Sequence, residues 1–367
     1  MKFQDIKVLA LVCLFATAAM TQLSAQNAPK FVNEFLNIGV GAQAHGMFGS
    51  VAASIDDVTA GYWNPAGLNN IDEPFQVSAM HASWFGGIAN YDYFGAAKRL
   101  GSNSNPTVGA LTVIRMGIDG IPNTLSLVGP DGSINYDNVT EFSTADYAVL
   151  VSIGKRLKSL NLNYGVSAKV INRRIGPFGS AWGFGFDAGI QYETNGFKFG
   201  LMARDVTTTV NAWSFNISSE NEAILLATGN DVPISSTEIA LPKLVFAVAK
   251  SGESGLLSYT VEADLRLSSD GTQSGILSGD RIGLDPTFGV EVGYDELAFL
   301  RFGLGNMQNI INEVNSANTK FSLQPNIGLG VSLGRLQIDY ALTNIGSVAE
   351  ALVSHIFSLK LNFDSNY

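Results

Sequence analysis

From about Phe75 onward, apolar and polar residues alternate with a period of two, the pattern of strands that have one apolar and one polar face. The clearest run sets Trp182, Phe184, Phe186, Ala188, Ile190 and Tyr192 against Gly183, Gly185, Asp187, Gly189 and Gln191. The same pattern sets Leu160, Leu162, Tyr164, Val166, Ala168 and Val170 against Asn161, Asn163, Gly165, Ser167 and Lys169. It returns in Leu257, Tyr259, Val261, Ala263 and Leu265 against Ser258, Thr260, Glu262, Asp264 and Arg266. Fourteen strands are predicted in all, near 75–86, 91–99, 107–117, 144–155, 160–173, 181–193, 197–206, 239–250, 256–267, 285–294, 297–305, 325–333, 335–343 and 355–363.

A soluble sandwich alternates too, so the connections have to decide. Those leaving even-numbered strands are short, such as Thr194-Asn195-Gly196 and Asp295-Glu296. The long ones, 118–143, 207–238, 268–284 and 306–324, all leave odd-numbered strands. An even strand count with short turns on one rim and long loops on the other predicts an all-β, 14-stranded antiparallel transmembrane barrel of the outer membrane, with both termini in the periplasm. The last strand fits, since Phe357, Leu359, Leu361 and Phe363 alternate with Ser358, Lys360 and Asn362 close to the chain end.

The first 72 residues do not alternate. Lys2 and Lys7 precede an apolar core from Val8 to Met20 and a small-residue site at Leu23-Ser24-Ala25, which predicts a signal peptide over 1–25. Residues 26–72 are rich in Gly, Ala, Ser and Asn and too few for a core of their own, so they are predicted to plug the lumen or mouth of a barrel formed by 73–367. Within them Ser54 to Thr59 reads as a short helix, and Asn64-Pro65-Ala66-Gly67 as a turn-helix signal: Asn64 caps, Pro65 takes the first helical position and Gly67 permits a sharp exit.

Composition supports this picture and removes several functions. Hydrophobic residues make up 46% and charged residues 15% of the chain, yet after the signal no apolar run is long enough to span a bilayer as a helix. The formal charge of -10 argues against binding a nucleic-acid backbone. Cys13, the sole cysteine, lies in the predicted signal and follows Val12 where a lipidated cysteine follows a small residue.

Asn64-Pro65-Ala66-Gly67-Leu68, with the lead-in Gly39-Val40-Gly41-Ala42-Gln43-Ala44 and the run from Asp56 to Trp63, resembles the PorV/PorQ family, within the superfamily of the long-chain fatty-acid transporter FadL. The resemblance implies a FadL-like barrel that serves type IX secretion, binding the C-terminal domains of exported cargo, translocon components or surface-attachment partners at its extracellular side. The alternative is a FadL-like channel for hydrophobic small molecules. Outer-membrane lipid is the partner in either case.

Candidate chemistry is sparse. His45, His81 and His355 are the three histidines, and no hydrolase or metal-ligand spacing accompanies them, so an enzyme, a cofactor and a metal site are not expected. Alternation directs Lys169, Asp187, Glu262, Asp264, Arg266, Glu291, Arg301, Asp339 and Lys360 into the lumen, where mixed signs allow pairing and argue against a continuous apolar tunnel. Two loop segments are candidate docking surfaces: Ser219 to Gly229, with a capping box from Ser219 to Glu222, and Asn306 to Asn318, where Met307, Ile310, Ile311 and Val314 follow helix-like spacing.

Overall fold

A computed structural model describes residues 32–100, 107–129, 132–269, 282–311, 319–345 and 353–363. The predicted signal segment lies outside the described residues, as do 26–31 of the predicted plug. The strands are β1 (Phe75–Trp84), β2 (Ala89–Arg99), β3 (Thr107–Asn123), β4 (Thr140–Leu157), β5 (Leu162–Ile175), β6 (Gly179–Thr194), β7 (Phe197–Arg204) and β8 (Thr209–Phe215). They continue as β9 (Thr237–Ala240), β10 (Lys243–Ser254), β11 (Leu257–Ser268), β12 (Gly283–Tyr294), β13 (Ala298–Ile311), β14 (Thr319–Leu333), β15 (Leu336–Thr343) and β16 (Ser354–Phe363).

All pairings are antiparallel, and β1 pairs with β16 from Phe75↔Phe363 to Ser83↔His355, which closes the sheet on itself. β6 pairs with β7 over 188–194 and with β8 over 179–184, while β10 pairs with β7 and β9 with β8. Thus β7 and β8 form one stave, β9 and β10 the next, and the wall is a closed 14-stranded barrel. Both staves break at the same level. Asp205 and Thr208 hold positive φ values of 54° and 61°, and across from them Pro242 has no N–H to offer a ladder.

The alternation is realised as read. Trp182, Phe184, Phe186, Ile190 and Tyr192 face outward while Ala181, Gly183, Gly185, Asp187, Gly189 and Gln191 are buried inside. Short turns such as Asn195-Gly196, Gly255-Leu256 and Gly334-Arg335 occupy one rim, and the long connections 124–139 and 216–236 the other. Several strands run further toward the long-loop rim than alternation indicated. β3 and β4 continue pairing past a register shift between Ile118 and Ile121, out to Asn123↔Thr140. There the outer face meets water, so alternation lapses, yet a paired backbone still satisfies its N–H and C=O groups.

Two loop expectations are corrected. Asn306 to Ile311 is not helical: it is the end of β13, with Ile310↔Lys320 and Ile311↔Thr319 paired across to β14, so ladder pairing prevails over helix-like spacing. Val314 lies outside the described residues, and Met307, Ile310 and Ile311 sit on a strand, so the four do not form a helical stripe. The other loop does contain a helix, α3 (Ser219–Ala227), but Ser218 caps it by accepting from the Asn221 N–H, one residue earlier than the predicted capping box.

Residues 32–72 fill the lumen. A 3-10 turn (Glu34–Asn37), α1 (Ala42–Gly46), α2 (Ala60–Trp63) and a second 3-10 turn (Pro65–Asn70) are almost entirely buried. The helix predicted at Ser54 to Thr59 does not form. Ser54 donates its N–H to Glu262 in the wall, and the Asp57 carboxylate takes the N–H and hydroxyl of Thr59, so tertiary bonds displace the local helix.

Candidate functional site

The Asn-Pro-Ala turn is held by the wall against which it is pressed. Asn64 Oδ1 accepts from the Ala66 N–H at 3.2 Å, closing the turn, and Asn64 Nδ2 donates to Ala52 O at 2.8 Å and to Ile190 O of β6 at 3.2 Å. One side chain thus joins the turn, the preceding plug loop and the barrel. Opposite it, Gly154, Gly165 and Gly189 are cross-strand partners in register on β4, β5 and β6. A Cβ on Gly165 would fall 2.3 Å from the Pro65 carbonyl carbon, and one on Gly189 2.0 Å from Asn64 Oδ1. The glycine row is a trough that admits backbone where any side chain would collide. Gly67 serves close approach as well, since its Cβ would meet Ile55 O at 2.4 Å.

A second trough receives the plug's other bend, because Cβ atoms on the paired Gly289 and Gly303 would meet Met47 Cβ at 2.8 Å and Phe48 N at 2.3 Å.

The nine charged residues assigned to the lumen divide into plug anchors and wall pairs. Glu262 accepts from the Ala53 and Ser54 N–H groups at 2.6 and 3.1 Å, and Asp264 from Ala52 at 3.4 Å. Arg266 donates to Phe48 O and Gly49 O at 3.2 and 3.3 Å, Glu291 accepts from Gln43 at 3.2 Å, and Lys360 reaches Asp57 at 3.1 Å. Arg301, fully buried, bridges Glu291 and Asp339, the latter at 2.7 Å. Lys169 bridges Asp187 at 2.8 Å and Asp205 at 2.7 Å, holding the break in the wall from the inside.

Sequence reasoning missed several partners in this network. Asp205 stands at the break, and Arg204 donates to Tyr62 Oη at 3.1 Å with its guanidinium 4.4 Å from the Tyr62 ring centroid. These groups and Lys169, Asn33 and Leu36 line a cavity of about 30 Å³, room for a water or two. Asp57 was read only as a helix-start residue. Burial works to raise its carboxyl, but Lys360 and the two Thr59 bonds outweigh that and hold it below the usual carboxylate range. His45, buried in α1, is pushed by burial down to about 4, against a backbone hydrogen bond at Gly39 and with help from the Arg266 charge.

One arc of the inner wall is largely apolar. On β1 to β5 the lumen-facing Met80, Tyr91, Ile114, Ala148, Leu150 and Ile171 form one buried cluster with the plug's Val40, Met47, Val58 and Leu68. Glu262, Asp264, Arg266, Glu291, Arg301, Asp339 and Lys360 all lie on β11 to β16. Seven of the nine charges read as an obstacle to an apolar path therefore lie on the opposite arc, with Lys169 on β5 and Asp187 on β6 paired to each other. The histidines are dispersed: His45 is inside the lumen, while His81 and His355 face outward, bonded to Asp92 at 2.7 Å and to Tyr340 at 2.8 Å.

Comparison with known proteins identifies the fold. No family model matches the sequence. No curated protein matches it either. Among solved structures, the CymD monoaromatic hydrocarbon channel aligns with a TM-score of 0.55 at 13% identity, covering 90% of this chain and 99% of that one. The P. putida toluene transporter TodX aligns with a TM-score of 0.55 at 14% identity, covering 89% and 99%. The chain shares the fold of these two solved structures, a closed 14-stranded antiparallel barrel with an N-terminal helical segment, and by their names the one is a channel and the other a transporter. None of these comparisons supports a secretion role.

Proposed function

We propose that this chain is a gated outer-membrane channel for hydrophobic small molecules, closed by its N-terminal segment in the conformation described here. The carrying observation is the apolar arc on β1 to β5, which the plug covers with its own apolar side chains. A hydrophobic solute entering between plug and arc exchanges one apolar contact for another, whereas the anchored side of the plug stays bonded to β11 and β12. The likeness in fold to channels for monoaromatic hydrocarbons and toluene supports the same reading.

Ser50 Oγ and Thr287 Oγ1 lie 2.8 Å apart, between plug and β12. Ser50→Cys with Thr287→Cys therefore offers a disulfide at a suitable separation, in a chain whose native cysteine lies in the predicted signal. Oxidation of the double variant is expected to suppress uptake of a labelled monoaromatic hydrocarbon or long-chain fatty acid into proteoliposomes, with reduction restoring it. Uptake equal to that of protein-free vesicles in every state sinks the channel reading.

A second reading, a type IX secretion barrel that binds cargo or attachment partners from its rim, is favoured by the Asn-Pro-Ala segment and by a plug anchored at many points. Under that reading the lock leaves surface display of cargo intact, and a deletion strain loses display while keeping hydrocarbon uptake.

A further inference from the structure

Outside the lumen, on the face of the barrel turned to its surroundings, there is a polar hollow of about 290 Å³ lined by Asn172, Arg174, Ser180, Trp182, Ser214 and Asn216. It is built by the upper ends of β5, β6 and β8, where Ser180↔Ser214 and Trp182↔Ala212 are paired, and Gly176 and Pro177 of the β5–β6 turn complete its lining. On β6 the outward column descends from Trp182 through Phe184 and Phe186 to Ile190 and Tyr192, all exposed and apolar. Trp182 is the lower lip of the hollow and the upper end of that lipid-facing column. An indole in this position belongs at the boundary between hydrocarbon and headgroups.

The chemistry above Trp182 changes abruptly. Among the described residues no carboxylate lines the hollow, although the chain carries a formal charge of -10. Its one cation among the described residues is Arg174, which donates from Nε to Asn172 Oδ1 at 3.3 Å and has no other partner among them for its guanidinium. The other outward arginine of this wall is different, since Arg115 is bonded to Asp92 at 3.3 Å. A guanidinium with open donors, surrounded by hydroxyls and amides and set at headgroup height, matches a phosphate bearing further hydroxyls.

We propose that this hollow binds the phosphorylated headgroup of a lipid in the leaflet at the long-loop rim, with Arg174 on the phosphate, Ser180, Ser214 and Asn216 on neighbouring hydroxyls, and acyl chains descending along Phe184 and Phe186. The site rests on the outer-membrane placement of the barrel and is independent of what passes through the lumen.

Native mass spectrometry of the purified full-length barrel, titrated with phosphatidylglycerol or phosphatidylcholine, tests it. The parent protein is expected to retain phosphatidylglycerol more tightly than phosphatidylcholine. Arg174→Gln should weaken phosphatidylglycerol about tenfold, the loss of one charge-assisted contact, and weaken phosphatidylcholine as well from its lower starting affinity, since it carries the same phosphate without the headgroup glycerol hydroxyls. Ser214→Asp, which places an anion in the hollow, should act in the same direction, and Arg115→Gln should change neither lipid. Inorganic phosphate should compete poorly because it lacks the chains. Undiminished phosphatidylglycerol binding in both hollow variants overturns the proposal, as does an equal loss in Arg115→Gln or full displacement by inorganic phosphate alone.

Discussion

The two arcs of the inner wall hold the same plug by different means. On β11 to β16, carboxylates and guanidinia bond to named backbone atoms at Phe48, Gly49, Ala52, Ala53 and Ser54, or to one another. On β1 to β5 contact is largely apolar, and the hydrogen bonds to the plug come mostly from neutral groups: Gln76 accepts from the Val58 N–H, Ser152 and Ser167 donate to Gly61 O, and Asn163 pairs with Asn69 and Asn70, with Arg99 to Ile71 O as the charged one. Hydrogen bonds to charged groups specify position, because a displaced partner leaves a buried charge unsatisfied; apolar contact resists separation but tolerates sliding. Such a plug is held chiefly by charged anchors on one side and chiefly by apolar packing with a few neutral hydrogen bonds on the other.

The largest test of that contrast is Arg301→Leu. It strands Glu291 and Asp339 in the wall and is expected to cost about 3 to 5 kcal/mol, read from denaturant unfolding of the refolded barrel in detergent. A near-neutral result would mean that the buried charge pairs do not hold this arc of the wall together.

Acid should loosen the plug next. His45 titrates at about 4 when folded and near 6.5 when unfolded, so the unfolded form takes up the proton first. Its contribution is whole above about pH 6.5, falls as pH drops, and stops changing below about 4, for a total on the order of 3 kcal/mol. Asp57, held low by Lys360 and Thr59 against the cost of burial, adds stability present above the unfolded carboxylate pKa and lost as pH falls through its lowered folded value. Protease cleavage within 32–72 should therefore rise from pH 7 to pH 4, and His45→Gln should remove the part of the rise above pH 4. An unchanged profile in that variant would clear His45 of any role.

Gly165→Val should cost about 1 to 3 kcal/mol by driving a side chain into the Pro65 carbonyl, with the plug becoming protease-sensitive while the barrel keeps its heat-modifiable gel mobility. The smallest effect belongs to the apolar arc. Ile114→Val should cost roughly 0.5 to 1.5 kcal/mol and leave plug position, read by Ser50–Thr287 crosslinking, unchanged. Loss of crosslinking in that variant would show the arcs to be coupled.

Strand faces, the fourteen-stave count and the division into short-turn and long-loop rims follow from the sequence alone. Phe184 outward and Asp187 inward are consequences of a local period of two, enforced by lipid on one side, and neither needs knowledge of a distant residue. Asn64 as cap and Pro65 at the first position of its turn are equally local. The seat of that turn is not. Gly154, Gly165 and Gly189 are ordinary inward residues in sequence, and only the register of three strands places them in one row under Pro65. Lys360 meets Asp57, and Lys169 meets Asp205 at a break in the wall, because the sheet closes and the chain enters its lumen; alternation records the side a charge faces, not the height at which it stands. The helix-like spacing of Met307, Ile310 and Ile311 yielded to β14 for the same reason, since a neighbouring strand with open donors and acceptors outweighs a weak local preference. Period and composition act within a few residues, whereas register and closure are properties of the whole barrel, and it is closure that brings the glycine rows, the charge pairs and the apolar arc against the plug.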